Sequence, residues 1–113
     1  MSDSISWTDF EKVDLRVGTI LDAKDFPKAR KPAYQLKIDF GNEIGILQSS
    51  AQITVHYKKE ELIGKQIVAV VNFPKKQIAN FFSECLVTGF ADERGDIILT
   101  SVDRKLPNGS KLS

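Results

Sequence analysis

Strand-period alternation dominates this chain. Tyr34, Leu36, Ile38 and Phe40 alternate with Gln35, Lys37 and Asp39, and a period of two puts the apolar set on one face of a strand. Val13, Leu15 and Val17 alternate with Asp14 and Arg16 in the same way. Ile67 to Val71 is apolar on both faces, as in a strand buried from two sides. Short runs of this kind, punctuated by turn residues, confine the chain to sandwich or barrel architectures.

The order of the runs narrows this further. Thr8-Asp9-Phe10-Glu11 has capping-box spacing, which predicts a short helix starting at Thr8 and ending by Asp14. The first strand runs from Val13 to Phe26, with Gly18 as its bulge or bend. Pro27 to Pro32 is a loop. Tyr34–Phe40 is the second strand, Gly41-Asn42 a hairpin turn and Ile44–Gln48 the third strand, broken by Ser49-Ser50. Val55–Leu62 reads as a helix stopped by Gly64. Gln66–Asn72 is the fourth strand, Lys75–Phe82 a loop and Glu84–Ala91 the fifth strand. Asp92–Gly95 turns into a sixth at Ile97–Ser101, and Pro107-Asn108-Gly109 is a further turn. Five strands with one helix between the third and fourth is the order of the OB-fold, a Greek-key barrel. The expectation is an all-β chain with short helices: one domain over residues 1–113, its core at about 13–91, extended by the N-terminal helix and a C-terminal hairpin.

Composition bears mainly on what is missing. His56 is the only histidine and Cys85 the only cysteine. A structural zinc site needs about four such ligands, so no metal is expected. There is no phosphate loop, nucleophile elbow or dinucleotide fingerprint, so neither a cofactor nor a catalytic residue is expected. A Cys85–His56 dyad is the remaining formal candidate, and Cys85 lies in an apolar run where a free thiol is ordinarily a small core residue. No apolar run approaches the ~20 residues of a membrane helix. The first residues lack the basic and apolar regions of a secretory leader, and one cysteine precludes an intrachain disulfide. Both features lead to the expectation of a cytoplasmic protein.

Net charge is only +1, but its distribution is uneven. Lys24, Lys28, Arg30, Lys31 and Lys37 face Asp25 alone in one stretch, while Lys75 and Lys76 close another. In the OB-fold order these clusters fall in the loops between strands one and two and between strands four and five, which border the usual ligand face. Lys28, Arg30, Lys31, Lys75 and Lys76 are therefore either solvated loop residues or phosphate contacts. Arg16 either pairs with a neighbouring carboxylate or lines the groove. Phe73, Phe81 and Phe82 are either core residues or platforms for a base or an apolar peptide side chain. Phe81 and Phe82 are adjacent, so in extended chain they face opposite ways and at most one belongs to the core. Phe40 joins the candidate peptide contacts.

Several runs carry a resemblance. Val13-Asp14-Leu15-Arg16-Val17-Gly18, Glu61 to Asn72 and Ser83-Glu84-Cys85-Leu86 resemble the tRNA-binding domain family, OB-fold modules found alone or appended to methionyl- and phenylalanyl-tRNA synthetases. Phe26-Pro27-Lys28-Ala29-Arg30, Ile38 to Gly41, Gln48 to Ile53, Val71-Asn72-Phe73-Pro74 and Pro107 to Lys111 are similar to its CsaA branch. The resemblance runs from about Phe10 to the C-terminus. It implies a homodimeric export chaperone that meets precursor polypeptides and SecA-type machinery, with tRNA as the alternative ligand. It adds Ser83 and Glu84 to the nucleic-acid candidates. The loop Phe26 to Pro32 departs from the His-Pro-Asn-Ala-Asp-Lys-Leu pattern of the appended domains. The N-terminal helix and Ile97–Leu112 are the expected two-fold interface.

Overall fold

A computed structural model describes residues 3–113. Its elements are α1 (Trp7–Glu11), β1 (Leu15–Asp25), β2 (Tyr34–Asp39), β3 (Ile46–Ala51), α2 (Lys59–Leu62), β4 (Gln66–Val70), β5 (Lys76–Ile78), β6 (Phe81–Ser83), β7 (Leu86–Val87), β8 (Gly89–Ala91) and β9 (Ile97–Leu99). The main sheet is antiparallel in the order β3-β2-β1-β4-β7 and curls into a nearly closed barrel, the expected OB-fold. Two small hairpins, β5–β6 and β8–β9, are added to it.

The long first strand serves both sides of the barrel. Leu15–Thr19 pairs with β4, and Thr19–Asp25 pairs with β2. The register slips between Ile20 and Asp22, so the bulge lies at Leu21 and not at Gly18. Gly18 has another reason to be there: a Cβ on it would stand 2.6 Å from Ile38 Cγ2 and 2.7 Å from Phe40 Cδ1. The missing side chain is the space that Phe40 fills. The edge of β1 opposite β4 is covered by the C-terminal segment. There Val17 N donates to Ser110 O, Gly109 N to Val17 O and Leu112 N to Leu15 O.

Ile20, Leu36, Ile38, Leu62 and Ile67 form the barrel core with Phe40. Leu62 is the one buried residue of α2 and joins this core. The helix is a single turn over Lys59–Leu62, shorter than the predicted Val55–Leu62, because His56 is tied instead to Asp92 at 2.7 Å. The cap of α1 also differs from expectation: Ser6, not Thr8, accepts from Asp9 N, and Asp9 returns the bond to Ser6 N.

The seam between the last strand and the first edge closes the barrel. Ser49 and Ser50 sit inside β3 and do not break it. Gln48 N donates to Glu84 Oε1 at 3.0 Å, Ser50 N to Ser83 Oγ at 3.2 Å and Ser49 Oγ to Cys85 O at 2.9 Å. Only one contact here, Glu84 N to Gln48 O at 2.8 Å, joins backbone to backbone. Side chains thus take the place of a strand ladder. The predicted single strand Glu84–Ala91 is split into β7 and β8, with Thr88 between them donating its hydroxyl to Val68 O.

Two outcomes follow. Gly18→Ala forces a methyl group into Ile38 and Phe40, and overpacking of this kind costs about 1–3 kcal/mol. A lowered urea midpoint with unchanged slope is expected; an unchanged midpoint would show that the core yields freely. The Asp92 carboxyl is held below its ordinary 3.8, first by the His56 hydrogen bond and next by the backbone N–H of Asp96. A depressed carboxyl stabilises the fold above its unfolded value and loses that contribution as pH falls through its folded value. The melting-temperature gap between wild type and Asp92→Asn should therefore narrow on titrating from about pH 6 to about pH 3. A gap constant across that range would rule out the linkage.

Candidate ligand-binding clefts

Phe26, Ala33 and Phe81 form a second small core, separate from that of the barrel, with Ala29 and Ile78 against it. The Phe26 and Phe81 rings are tilted, with centroids 5.4 Å apart, a geometry favoured by ring quadrupoles. Phe26 directly follows β1 and Phe81 opens β6. Their contact draws the β1–β2 loop against the β5–β6 hairpin. Lys28, Arg30, Lys31 and Lys76 consequently line one cleft of about 660 Å³, floored by Ser50, Gln52 and Ile78. None of these four cations is in an ion pair among the described residues.

A second cleft, of about 570 Å³, lies beside the first. Phe73, Pro74 and Leu86 give it an apolar surface, Lys75 and Lys76 stand at its rim, and Ser83 and Cys85 contribute to its wall. Phe73 is 54 % and Leu86 51 % exposed. Leu86 was not among the sequence candidates. Its signal is the alternation with buried Cys85, which turns the large apolar residue outward.

The remaining candidates have structural work. Phe40 is 1 % exposed and packs in the barrel, so it is not available to a peptide. Phe81 is the buried member of its pair and Phe82 the exposed one, but Phe82 stands outside both clefts. Arg16 donates to Asp14 Oδ1 at 2.6 Å and to Gly109 O at 3.0 Å, so it pairs locally and anchors the C-terminal segment. The Asp14 hydrogen bond also raises its pKa. Glu84 is engaged on both oxygens: Oε1 receives Gln48 N, and Oε2 lies 3.6 Å from Lys75 Nζ. Ser83 Oγ receives Ser50 N.

No dyad forms at Cys85. Burial pushes its thiol up to about 12, against a smaller lowering by the Ser49 hydroxyl. Its polar neighbours are Ser49 and the Gln48 carbonyl, whereas His56 bonds Asp92. A thiol so raised is protonated at neutral pH and a poor nucleophile. His56, Asp92 and Asp96 bring potential ligand atoms within 4.8 Å of one another. Both Asp92 oxygens are already used, however: Oδ1 by the N–H groups of Arg94 and Asp96, Oδ2 by His56. The group is accounted for by the β8–β9 turn.

A different face gathers apolar residues from the chain ends. Trp7, Phe10, Val13 and Leu112 line a shallow cleft, with Trp7 67 % exposed. Phe90 and Ile98, opposite each other on β8 and β9, are also exposed, Phe90 at 73 %. Among the described residues no helix is long and apolar enough to cross a membrane.

Comparison with known proteins places this geometry. Residues 15–111 match the family described as "Putative tRNA binding domain". The methionine–tRNA ligase of Methanocaldococcus jannaschii is 34 % identical over 102 residues, which is 90 % of this chain but 15 % of that enzyme. The chain thus spans about one seventh of that relative's length. The crystal structure of chaperone CsaA from Bacillus anthracis superposes with a TM-score of 0.92 at 53 % identity, covering 98 % of this chain and 100 % of that one. The CsaA chaperone of Picrophilus torridus gives 0.90 at 55 %, covering 97 % and 100 %. Matched in sequence through nearly all its strands and in structure from end to end, the chain belongs to the tRNA-binding domain family and is a CsaA-type member of it.

Proposed function

We propose that this chain binds extended polypeptide segments, as a chaperone of the CsaA type, and catalyses no reaction. The observation that carries the reading is the cleft lined by Phe73, Pro74 and Leu86, in which two large, half-exposed apolar side chains share one concave surface. Burying one large apolar side chain of a partner contributes roughly 1.5–3 kcal/mol, so a few such contacts give useful affinity without a fixed sequence. The likeness to two CsaA chaperones supports it. On this reading residues 1–113 act as one unit in a homodimer joined through the Trp7–Leu112 face and the segment from Ile97. Its ligands are export precursors, its partner machinery is of SecA type, and it works in the cytoplasm.

One observation favours a second reading. Lys28, Arg30, Lys31 and Lys76 converge on one cleft without carboxylate partners, and the family is described by tRNA binding. That arrangement suits phosphates, with the fold reading RNA shape and not its sequence.

Salt and substitution separate the two. The expected result is that a permanently unfolded polypeptide binds with little loss between about 50 and 300 mM salt, whereas phosphate-driven binding falls steeply over such a range. Phe73→Ala with Leu86→Ala should weaken polypeptide binding about tenfold or more, each 1.4 kcal/mol being one decade. Retention of full affinity by that double variant would overturn the polypeptide reading. Tight, salt-sensitive tRNA binding lost with Lys28→Ala and Arg30→Ala would replace it by the second.

A further inference from the structure

We infer that the two clefts form one composite site, and that it selects extended peptide segments carrying an acidic side chain next to a large apolar one. The inference rests on the polypeptide-binding reading above and specifies its ligand.

Lys76 and Gln77 line both clefts, so the partition between them is one short stretch of β5. An extended chain advances about 3.3 Å per residue and turns successive side chains to opposite sides. Neighbouring side chains of such a segment can therefore enter different clefts across a narrow wall.

The two clefts differ in what they demand. Lys75 already has Glu84 at 3.6 Å. Lys28, Arg30, Lys31 and Lys76 have no such partner, so their mutual repulsion is uncompensated in the free protein. A carboxylate in the basic cleft relieves that repulsion, and a lysine or arginine there adds to it. Juxtaposed like charges are an effective means of rejecting wrong partners. The apolar cleft shares Lys76 and has Lys75 already beside Glu84, but Phe73, Pro74 and Leu86 make side-chain area its main demand. Together they favour an acidic–apolar segment and disfavour a basic–apolar one. Positively charged leader segments are thus poor ligands for this site, and acidic stretches elsewhere in a polypeptide are good ones.

The test is fluorescence anisotropy at about 50 mM salt, where surface charges are only moderately screened. Four peptides of one length carry one uncharged fluorophore: apolar residues flanked by Asp and Glu, the same flanked by Asn and Gln, the same flanked by Lys, and the acidic peptide with its apolar residues changed to Ser. The acidic–apolar peptide should bind about tenfold tighter than the amide version, with the lysine version weakest. Arg30→Gln with Lys76→Gln, checked for intact fold by circular dichroism, should erase the difference between acidic and amide peptides. Phe73→Ala should weaken both equally. Equal affinity of the wild type for acidic and amide peptides overturns the inference and leaves the polypeptide reading standing. Undiminished binding of the acidic serine peptide also overturns it, leaving a plain polyanion cleft such as RNA would fill. Failure of all four peptides to bind overturns both readings.

Discussion

Closure of the barrel depends on the outer edge of β3. An open sheet edge presents unpaired N–H and C=O groups, and once buried these cost about 1–3 kcal/mol each if left unsatisfied. Here Ser83 to Cys85 meets that edge with one backbone pair, Glu84 N to Gln48 O. The other positions are met by side chains: Glu84 and Ser83 accept from Gln48 N and Ser50 N, and Ser49 donates to Cys85 O. Among the described residues no buried side-chain polar atom is left without a partner. Ser49, 1 % exposed, is tolerable inside the barrel for that reason alone. Burial at the same seam raises the Cys85 thiol.

From the seam outward, the ligand face is assembled by position. Ser83 ends β6, so fixing Ser83 fixes the β5–β6 hairpin, whose register pairs Lys76 with Ser83 and Ile78 with Phe81. Phe81 and Ile78 then offer the surface on which Phe26 and Ala29 settle. Phe81 thereby does more for the basic cleft than a contact residue could: it brings together two loops whose like charges oppose their approach. Local conflict of this sort, sustained by packing behind it, is common where a surface is built to receive a ligand.

The contacts that sequence analysis read correctly are those governed by local periodicity. Alternation from Tyr34 to Phe40, the long first strand and the helical turn between the third and fourth strands all needed only neighbouring residues. What it misread has distant partners. Ser49-Ser50 has the composition of a turn, yet the hydroxyl and amide groups of this pair are used by residues more than thirty positions away. Gly18 has the look of a bulge, while its cause is Phe40 on another strand and the bulge is at Leu21. The helix predicted from Val55 lacks its first turn, where His56 is bonded instead to the distant Asp92. For the candidate site, charge clustering pointed to the two loops that the structure brings together around the basic cleft. It did not separate Phe73, which lines a cleft, from Phe40, which packs in the barrel core, or Phe81, which packs behind the basic cleft, because the aromatic residue type alone does not mark which side is wet.

On the proposed reading, the same hairpin would let one fold take polymers of different chemistry. A phosphate backbone and an acidic peptide both present regularly spaced negative charge on an extended chain, and the basic cleft cannot tell them apart by charge. The apolar cleft can: Phe73 and Leu86 offer area to an aliphatic or aromatic side chain, whereas a nucleotide base needs a planar platform with room to stack. Phe73 shares the cleft with Pro74 and the aliphatic Leu86 and with no second aromatic ring. On the proposed reading, discrimination between ligand classes would reside in two residues beyond the end of β4 and at the start of β7, while the lysines and arginine of the neighbouring cleft would supply attraction common to both. Variation confined to these few loop and strand-end positions would redirect the ligand without disturbing the seam that keeps the barrel closed.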